Sequence, residues 1–410
     1  MPTPERPRGV LLTLCGTVTI AYGVLYYAFT VLASGIVEDT GWSSSAVTAA
    51  FSAGTLFGAL AGVATGRVLQ RHGPRVVMTS ASVLAALAVT VVATAPSLPV
   101  FTLGWLLAGA ASAGTFYPPA FAVLTQWYGA RRVRAITTLT LVAGFSSTVF
   151  APLTAVLGEE PGWRATYLVL GAVMLVATAP AHALALRLPW HPSTGADRGH
   201  AHGRSDRGIL TSRTFVLVTV SGALTSLVMY ASLVHLVPLL QQRGTSVQLA
   251  AWALGLSGAG QVGGRLLYPT LERRMPPHVR AAAVISVLAA TVLALGIVRG
   301  PVPLLISIAV LAGSARGLFT LIGATVLTEH WGPERYAALN GVYNAPVGVA
   351  AALAPAVGSG LTALTGSPAG LFVALGLLGL VGAALAVASG DGTPRTPRVV
   401  PVPAGAEEHA

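Results

Sequence analysis

Residues 66–75 read GRVLQRHGPR and lie where one long apolar run, 46–68, ends and the next, 76–95, begins. Three arginines and two glycines in ten residues do not fit the hydrocarbon core of a bilayer, where a charged side chain is costly. A run of about 20 apolar residues has the length that crosses that core as a helix. The stretch is therefore predicted to be a short basic loop that connects two membrane-spanning helices.

The same alternation of apolar runs and short polar connections continues along all 410 residues. Twelve spanning helices are predicted, at 10–36, 46–68, 76–95, 99–127, 135–157, 163–187, 213–240, 247–270, 280–298, 302–328, 336–362 and 368–389. Hydrophobic residues make up 54% of the chain and charged residues 9%, whereas a soluble domain is about one quarter charged. The sequence therefore predicts an all-α membrane protein.

The composition excludes several other classes of protein. High hydrophobicity excludes a disordered chain, and the net charge of +11 is not concentrated on one polar module, which argues against nucleic-acid binding. A single cysteine, Cys15, excludes a disulfide framework. No paired carboxylates, metal-ligand cluster or nucleotide-binding loop is evident, so we expect no enzyme, no bound metal and no cofactor.

Arginine placement predicts the orientation. With a cytoplasmic N-terminus, nineteen of the 24 basic residues, all of them arginine, fall in inner segments, and three (Arg164, Arg243 and Arg299) fall in outer ones. Because basic residues concentrate on the cytoplasmic side, both termini are predicted to face the cytoplasm. The expected location is the cytoplasmic (inner) membrane, with lipid as a partner.

A polar segment at 189–212 divides the chain into two halves that match each other. The predicted units are a cytoplasmic tail at 1–9, a bundle at 10–188, a flexible cytoplasmic linker at 189–212, a bundle at 213–389 and a disordered tail at 390–410. At an offset of 203 residues, Gly114 matches Gly317 and Pro152 matches Pro355. Two pseudo-symmetric bundles of six helices are the plan of a carrier that rocks its halves about a midplane site.

The basic loop carries a family resemblance. It is similar to the loop signature of the major facilitator superfamily, G-x-x-x-D-R-x-G-R-R, and the gating loop that this resemblance implies consists of Gly66, Gln70, Arg71, Gly73 and Arg75. Gln70 stands where the family has an aspartate, and Pro74 stands where it has an arginine. The resemblance implies a major facilitator fold, a monomer, and a clamp at this loop that relies on neutral hydrogen bonds.

Further motifs resemble one branch of that family, the oxalate/formate exchangers and monocarboxylate carriers. They are GWSSS at 41–45, YPP at 117–119, WYG at 127–129 and GWR at 162–164. The resemblance implies that an arginine in the eighth helix and an aromatic hydroxyl in the fourth bind the substrate. Arg265 and Tyr117 occupy those places. The lysine that the oxalate exchanger has in the eleventh helix is absent, and Arg316 in the tenth helix is a candidate substitute.

Arg265 and Arg316 are the two arginines that lie away from the ends of the predicted helices, and an intramembrane charge indicates a functional site. No acidic residue lies in the middle of a predicted span, so the two cations favour an anion, which arginine can bind with two parallel hydrogen bonds. Two alternatives stay open. Arg265 could extend to the inner surface, and Arg316 could bond backbone carbonyls at a helix break.

Other side chains are candidates to orient or couple the substrate. Tyr26, Tyr27, Tyr117, Tyr343 and Asn344 are the predicted partners of a carboxylate in an apolar pocket, with packing as the alternative for each. His235 is a candidate for proton coupling because an imidazole titrates near neutral pH. Its alternative is a neutral histidine bonded to a neighbouring backbone or hydroxyl group.

The function that these features predict is secondary active transport of a small organic anion, a mono- or dicarboxylate, by alternating access. Proton symport and anion exchange both remain open, as do the substrate and the direction of flux. The alternative is an exporter of drugs or secondary metabolites. A membrane enzyme or receptor is the least favoured, because the chain shows no motif for either.

Overall fold

The computed structural model describes residues 8–159, 162–190, 205–331 and 336–392. Its long helices form twelve rods. The first six are α1 (Arg8–Tyr22, a π-helical turn Gly23–Tyr27, and Ala28–Thr40), α2 and α3 (within Ser44–Thr94, parted at Gly73), α4 (Leu98–Thr115 and Tyr117–Tyr128), α5 (Arg132–Ala143 and Ser146–Glu159) and α6 (Gly162–Val173, a π-helical turn Met174–Thr178, and Ala179–Ala185).

The second six rods are α7 (Arg213–Val234 and Leu236–Gln242), α8 (Val247–Arg274), α9 (Pro277–Ile297), α10 (Val302–Trp331), α11 (Tyr336–Thr365) and α12 (Pro368–Ala388). Short 3-10 turns at Gly129–Arg131 and Ser389–Gly392 and a short helix at Ser205–Leu210 complete the described chain. The predicted all-α membrane fold is confirmed.

Eleven helices of the described residues are long and apolar enough to cross a membrane. The remaining rod, α8, has 28 residues, which is long enough, but Gln248, Gln261 and Arg265 reduce its mean hydropathy. A helix with this composition is stable at membrane depth only where its polar groups face other helices.

Two boundaries differ from the predictions for local reasons. The chain turns between α2 and α3 in a single residue, Gly73, whose φ of 77° suits glycine, and Pro74 then occupies the first turn of α3, where a proline is tolerated. The predicted flexible linker at 189–212 was wrong in part, because it contains the helix Ser205–Leu210. Most of the predicted tails, 1–7 and 393–410, and residues 191–204 of the linker lie outside the described residues.

Two pairs of helices touch along glycines, and the arrangement recurs in both halves. A Cβ on Gly264 would overlap the carbonyl of Ser314, and one on Gly317 would overlap the carbonyl of Gln261, so α8 and α10 lie backbone to backbone. In the first half, α2 and α4 meet in the same way through Gly54, Gly58 and Gly109. Small residues four apart permit this approach in membrane helices.

The bundle has two ends. The terminus side holds Gly73 and the ends of α8 and α10. The distal side holds the α1–α2 and α7–α8 connections. The halves are hydrogen-bonded to each other toward the distal side. Thr48 of α2 bonds Ser359 of α11 at 2.5 Å, and Thr55 donates to the carbonyl of Ala352 at 3.1 Å. The backbone N–H of Ala356 donates to Ser52 at 3.0 Å. We call these contacts of α2 with α11 the distal seal.

A buried ion pair fixes the terminus side of the second half. Arg280 of α9 donates to Glu329 of α10 at 2.5 Å, and the exposed fractions of their side chains are 2% and 19%. The hydroxyl of Tyr268 lies 3.4 Å from the same carboxylate and the Tyr268 ring lies 5.2 Å from the Arg280 guanidinium. The pair therefore joins α8, α9 and α10.

Candidate functional site

Arg316 lies in the interior of α10, with 4% of its surface exposed. Its Nη2 donates to the hydroxyl of Ser257 in α8, which is itself fully buried. Its Nε is buried and has no hydrogen-bond partner among the residues that the structure describes. The alternative in which Arg316 bonds backbone carbonyls at a helix break does not describe this side chain.

Arg265 lies in α8 one residue after the glycine contact with α10, and it faces the first half of the chain. Its Nη1 donates to the backbone carbonyl of Thr140 in α5 at 2.6 Å, and its Nη2 lies 3.4 Å from the hydroxyl of Thr320 in α10. Gly144 of α5 leaves room for this guanidinium. The side chain therefore points between the halves, and the alternative in which it extends to the inner surface is wrong.

Tyrosines connect the two arginines. Arg316 interacts electrostatically with the hydroxyls of Tyr26, Tyr27 and Tyr230, and Arg265 does so with those of Tyr117, Tyr27 and Tyr230. Tyr27 from the first half and Tyr230 from the second half thus lie within reach of the charge of both arginines. This central cluster, defined as Arg265, Arg316, Tyr26, Tyr27, Tyr117 and Tyr230, lies where α1, α4, α7, α8 and α10 converge.

Local helix breaks put the tyrosines of the first half into the cluster. Tyr26 and Tyr27 lie in the π-helical turn Gly23–Tyr27, a departure from α-helix that often occurs at functional sites. Tyr117 begins the second segment of α4, because Pro118 and Pro119 lack the N–H groups that would continue the first.

The positive charge of the cluster is not balanced within the described chain. The ion pairs of the described residues are Arg164 with Asp39 and Arg280 with Glu329, and neither involves Arg265 or Arg316. A buried polar network without a counter-charge is costly in a medium of low dielectric. An anion placed here would gain two cations and several hydroxyl donors.

One of the predicted substrate residues, Tyr343, lies away from the central cluster. Tyr343 of α11 is 3% exposed, and its hydroxyl lies against Gly222 of α7, inside the second half. It lines a small cavity of about 20 Å³ together with His278 and His330. Asn344 is exposed. The structure does not bring Tyr343 to the central cluster, so we do not include it in the site.

His235 lies at the break of α7, near the distal seal. Its Nδ1 is 3.0 Å from the carbonyl of Ala231, and its Nε2 is 3.2 Å from the hydroxyl of Ser359, which also bonds Thr48. Because a carbonyl only accepts, Nδ1 carries a proton and a neutral ring accepts at Nε2 from Ser359. These hydrogen bonds are the ones expected for the alternative role of His235, a neutral histidine bonded to a backbone and a hydroxyl group.

The distal seal was missed in the sequence analysis, although a signal for it exists. Thr48, Ser52 and Thr55 are spaced four and three residues apart, so they share one face of α2. Hydroxyls on one face of a membrane helix commonly bond a neighbouring helix. The pattern is not specific, because hydroxyl groups equally often bond the preceding turn of their own helix.

The predicted gating loop is bound within the first half. Arg75 donates from Nε to the carbonyl of Ala183 at 2.9 Å, and Trp190 donates from Nε1 to the carbonyl of Gln70 at 3.3 Å. Gly73 is in contact with Trp190. Gly66 and Arg71 are exposed. A gating role for the loop stays a prediction.

A second cavity lies on the distal side and does not suit an anion. It has a volume of about 610 Å³ and lies between α1, α5, α6 and the start of α8. Glu38, Asp39 and Glu159 are among its lining residues, with Arg164. Three carboxylates against one guanidinium would repel a carboxylate, so the cavity is the larger space but not the candidate site.

Twelve helical rods in two matching halves, with a charged cluster between them, are the architecture of a polytopic membrane transporter. The sequence model of the protein family Major Facilitator Superfamily matches residues 14–307, and the chain belongs to that family. As a class these proteins are membrane transporters and not enzymes, which confirms the resemblance found in the basic loop.

Curated relatives share modest identity. Human monocarboxylate transporter 11 is 31% identical over 231 residues, 56% of this chain, and the match spans about half of that relative, 47%. Rat monocarboxylate transporter 13 is 28% identical over 319 residues, which is 77% of this chain and 73% of the relative.

Solved structures share the fold. A mutant of the nucleoside transporter NupG superimposes with a TM-score of 0.77 at 14% identity, covering 93% of this chain and 99% of the other. A bacterial homolog of the human lysosomal transporter Spinster, inward-facing and occupied, has a TM-score of 0.73 at 19% identity, covering 94% of this chain and 98% of the other.

Proposed function

We propose that this protein is a secondary active transporter of small organic anions, mono- or dicarboxylates, and that the central cluster binds the cargo. The observation that carries the proposal is the pair of guanidinium groups, Arg265 and Arg316, without a carboxylate partner among the described residues. Relatives named as monocarboxylate transporters support the same class of substrate.

Transport proceeds by alternating access about this cluster. Arg265, Arg316 and Tyr230 belong to the second half, and Tyr26, Tyr27 and Tyr117 belong to the first, so cargo bound here contacts both halves. With the distal seal formed, access is from the terminus side, which the arginine distribution assigns to the cytoplasm of the inner membrane. The gating loop at 66–75 acts on that same side.

The charge of the cluster supports exchange or cotransport over leak. An empty site holds two buried positive charges, and moving uncompensated charge through the membrane interior is costly. A bound anion lowers that charge and lets the halves exchange positions. Protons are a candidate coupling ion through His235, whose ring contacts Ser359 of the distal seal.

Export of drugs or secondary metabolites is the second candidate function. The positive charge of the site favours it only for anionic or neutral compounds. A cationic drug would meet Arg316 without a carboxylate to bind it. Drug-resistance profiling of an expressing strain separates the candidates.

The direct test is uptake of labelled lactate, pyruvate, formate and oxalate into proteoliposomes, each with and without a proton gradient and with unlabelled carboxylate inside. We expect saturable uptake that depends on Arg265 and Arg316. If Arg316→Ala transports as well as the unaltered protein, Arg316 is not part of the substrate site. Absence of uptake for every carboxylate tested would overturn the proposal.

A further inference from the structure

The two guanidinium groups lie at different depths. Arg316 reaches Ser257, whose hydroxyl would be 2.9 Å from a Cβ on Gly313 of α10. Arg265 reaches Thr320, seven residues further along the same helix. At a rise of 1.5 Å per residue, the two groups are separated by about 10 Å along the bundle. A single carboxylate is smaller than this separation and binds one of them at a time.

The glycine contacts keep this separation constant. Both arginines are carried by α8 and α10, whose backbones touch at Gly264 and Gly317, so they move together with the second half. Helices in backbone contact have little room to move relative to each other. The distance between the two guanidinium groups is therefore set within one half of the protein.

Each guanidinium has a donor without a hydrogen-bond partner in the part of the chain that the structure describes. Nε of Arg316 and the hydroxyl of Tyr26 are buried and unbonded, and their side chains are 4% and 8% exposed. Nε of Arg265 is also buried and unbonded. Buried donors in proteins nearly always have acceptors. Two such sets, one at each arginine, indicate two acceptor groups on the ligand.

The positive charge of the two arginines also favours a ligand with two acceptor groups. One carboxylate would leave one positive charge unbalanced near the middle of the membrane, where an unpaired charge is costly. Two carboxylates on one molecule would balance both guanidinium groups.

We propose that Arg316 and Arg265 are two separate subsites, and that the preferred cargo is an elongated α,ω-dicarboxylate with one carboxylate at each. The inference rests on the proposed function and narrows it. Arg316, with Ser257 and Tyr26, takes the carboxylate nearer the distal seal. Arg265 takes the carboxylate nearer the terminus side.

The test compares each dicarboxylate with its half-amide, which has the same length and one charge fewer. Glutarate, adipate and pimelate and their half-amides are titrated into the purified protein at neutral pH, where both acid groups are ionised. We expect the best-fitting dicarboxylate to bind at least about tenfold more tightly than its half-amide, because it gains one charge-assisted pair.

Variants assign the two subsites. Arg316→Gln and Arg265→Gln should each remove most of the dicarboxylate's advantage over its half-amide, because each variant leaves one guanidinium to bind one carboxylate. Ser257→Ala keeps the charge of Arg316 but frees its position, and should reduce the advantage without abolishing it. The comparison of ligands on the unaltered protein stands even if a variant does not fold.

Separate outcomes overturn this inference and the proposed function. Equal affinity for dicarboxylates and half-amides, with exchange of monocarboxylates intact, overturns only the two-subsite inference. The same holds if Arg316→Gln weakens both ligands equally. If no carboxylate of any length binds or is exchanged, the proposed function fails and this inference with it.

Discussion

The Nη1 of Arg265 in α8 donates to the backbone carbonyl of Thr140 in α5 at 2.6 Å, so a cation of the second half is held by the first. The same carbonyl accepts from the N–H of Gly144 near the end of an α-helical segment, where carbonyl groups attract positive charge. A carboxylate competes with this neutral acceptor and forms the stronger, charge-assisted bond. Cargo binding at Arg265 is therefore expected to loosen the contact between α5 and α8.

Replacement of Arg265 should show that its shape matters as well as its charge. Arg265→Lys keeps the charge but cannot form two parallel bonds, so we expect carboxylate transport to fall at least about tenfold, and Arg265→Gln to abolish it. Arg299→Gln, in an exposed distal connection, is the matched control and should transport normally. Full activity of Arg265→Lys would show that a point charge is sufficient.

Weakening the distal seal should shift the balance between conformations. Ser359→Ala removes the hydroxyl that bonds both Thr48 and His235. A buried hydrogen bond contributes about 0.5–1.5 kcal/mol, and about 1.4 kcal/mol is a tenfold change in population. We expect the distal-open population to rise about two- to tenfold.

Spin labels can measure that population. Labels at Ser45→Cys and Ala363→Cys report the distance between exposed distal ends of the two halves, in a background where the buried Cys15 is replaced by serine. Thr362→Ala, whose hydroxyl bonds only its own helix at Gly358 among the contacts described, is the control and should leave the distance distribution unchanged. An unchanged distribution in Ser359→Ala would mean that the seal does not hold the distal side closed.

The glycine contact between α8 and α10 should tolerate no side chain. Gly317→Ala places a Cβ into the carbonyl of Gln261 and must push the helices apart, and overpacking of this kind costs about 1–3 kcal/mol. Gly263→Ala has open space and is the matched control. Thermal midpoints in detergent compare the two. Equal midpoints would show that the helices are not in backbone contact.

The ion pair of Arg280 and Glu329 should stabilise the fold without serving transport directly. Glu329→Gln leaves a buried guanidinium without a counter-charge, which costs about 3–5 kcal/mol, whereas replacing both members by apolar residues is often close to neutral. We expect a large fall in the thermal midpoint of Glu329→Gln and recovery in Arg280→Met/Glu329→Leu. If the double variant is as unstable as the single one, the pair does not act by mutual neutralisation.

The sequence predicted the fold because membrane helices are marked by long apolar runs and short basic loops. The loop at 66–75 and the glycine at its centre were recognised, and Gly73 has the positive φ that the turn needs. The flexible linker was a partial error, since a polar stretch such as 205–210 can form a short helix wherever neighbouring segments support it.

The candidate site was predicted less completely. Arg265 and Arg316 were found because charge in an apolar run is conspicuous, and their tyrosine neighbours in α1 and α4 were named with them. Tyr230 was not named, because the sequence of an apolar helix does not show which way a single tyrosine faces. The prediction for Tyr343 has the same weakness, since its position in α11 does not reveal that the ring packs against Gly222.

The measurement that tests the central claim most directly compares a carboxylate with its neutral amide. Purified protein is heated with pyruvate or with pyruvamide at equal concentration, because a ligand that binds the folded state raises its thermal midpoint. Pyruvate should raise the midpoint, pyruvamide should not, and Arg265→Gln should lose the response. Equal shifts with both compounds would contradict a site that selects its cargo by negative charge.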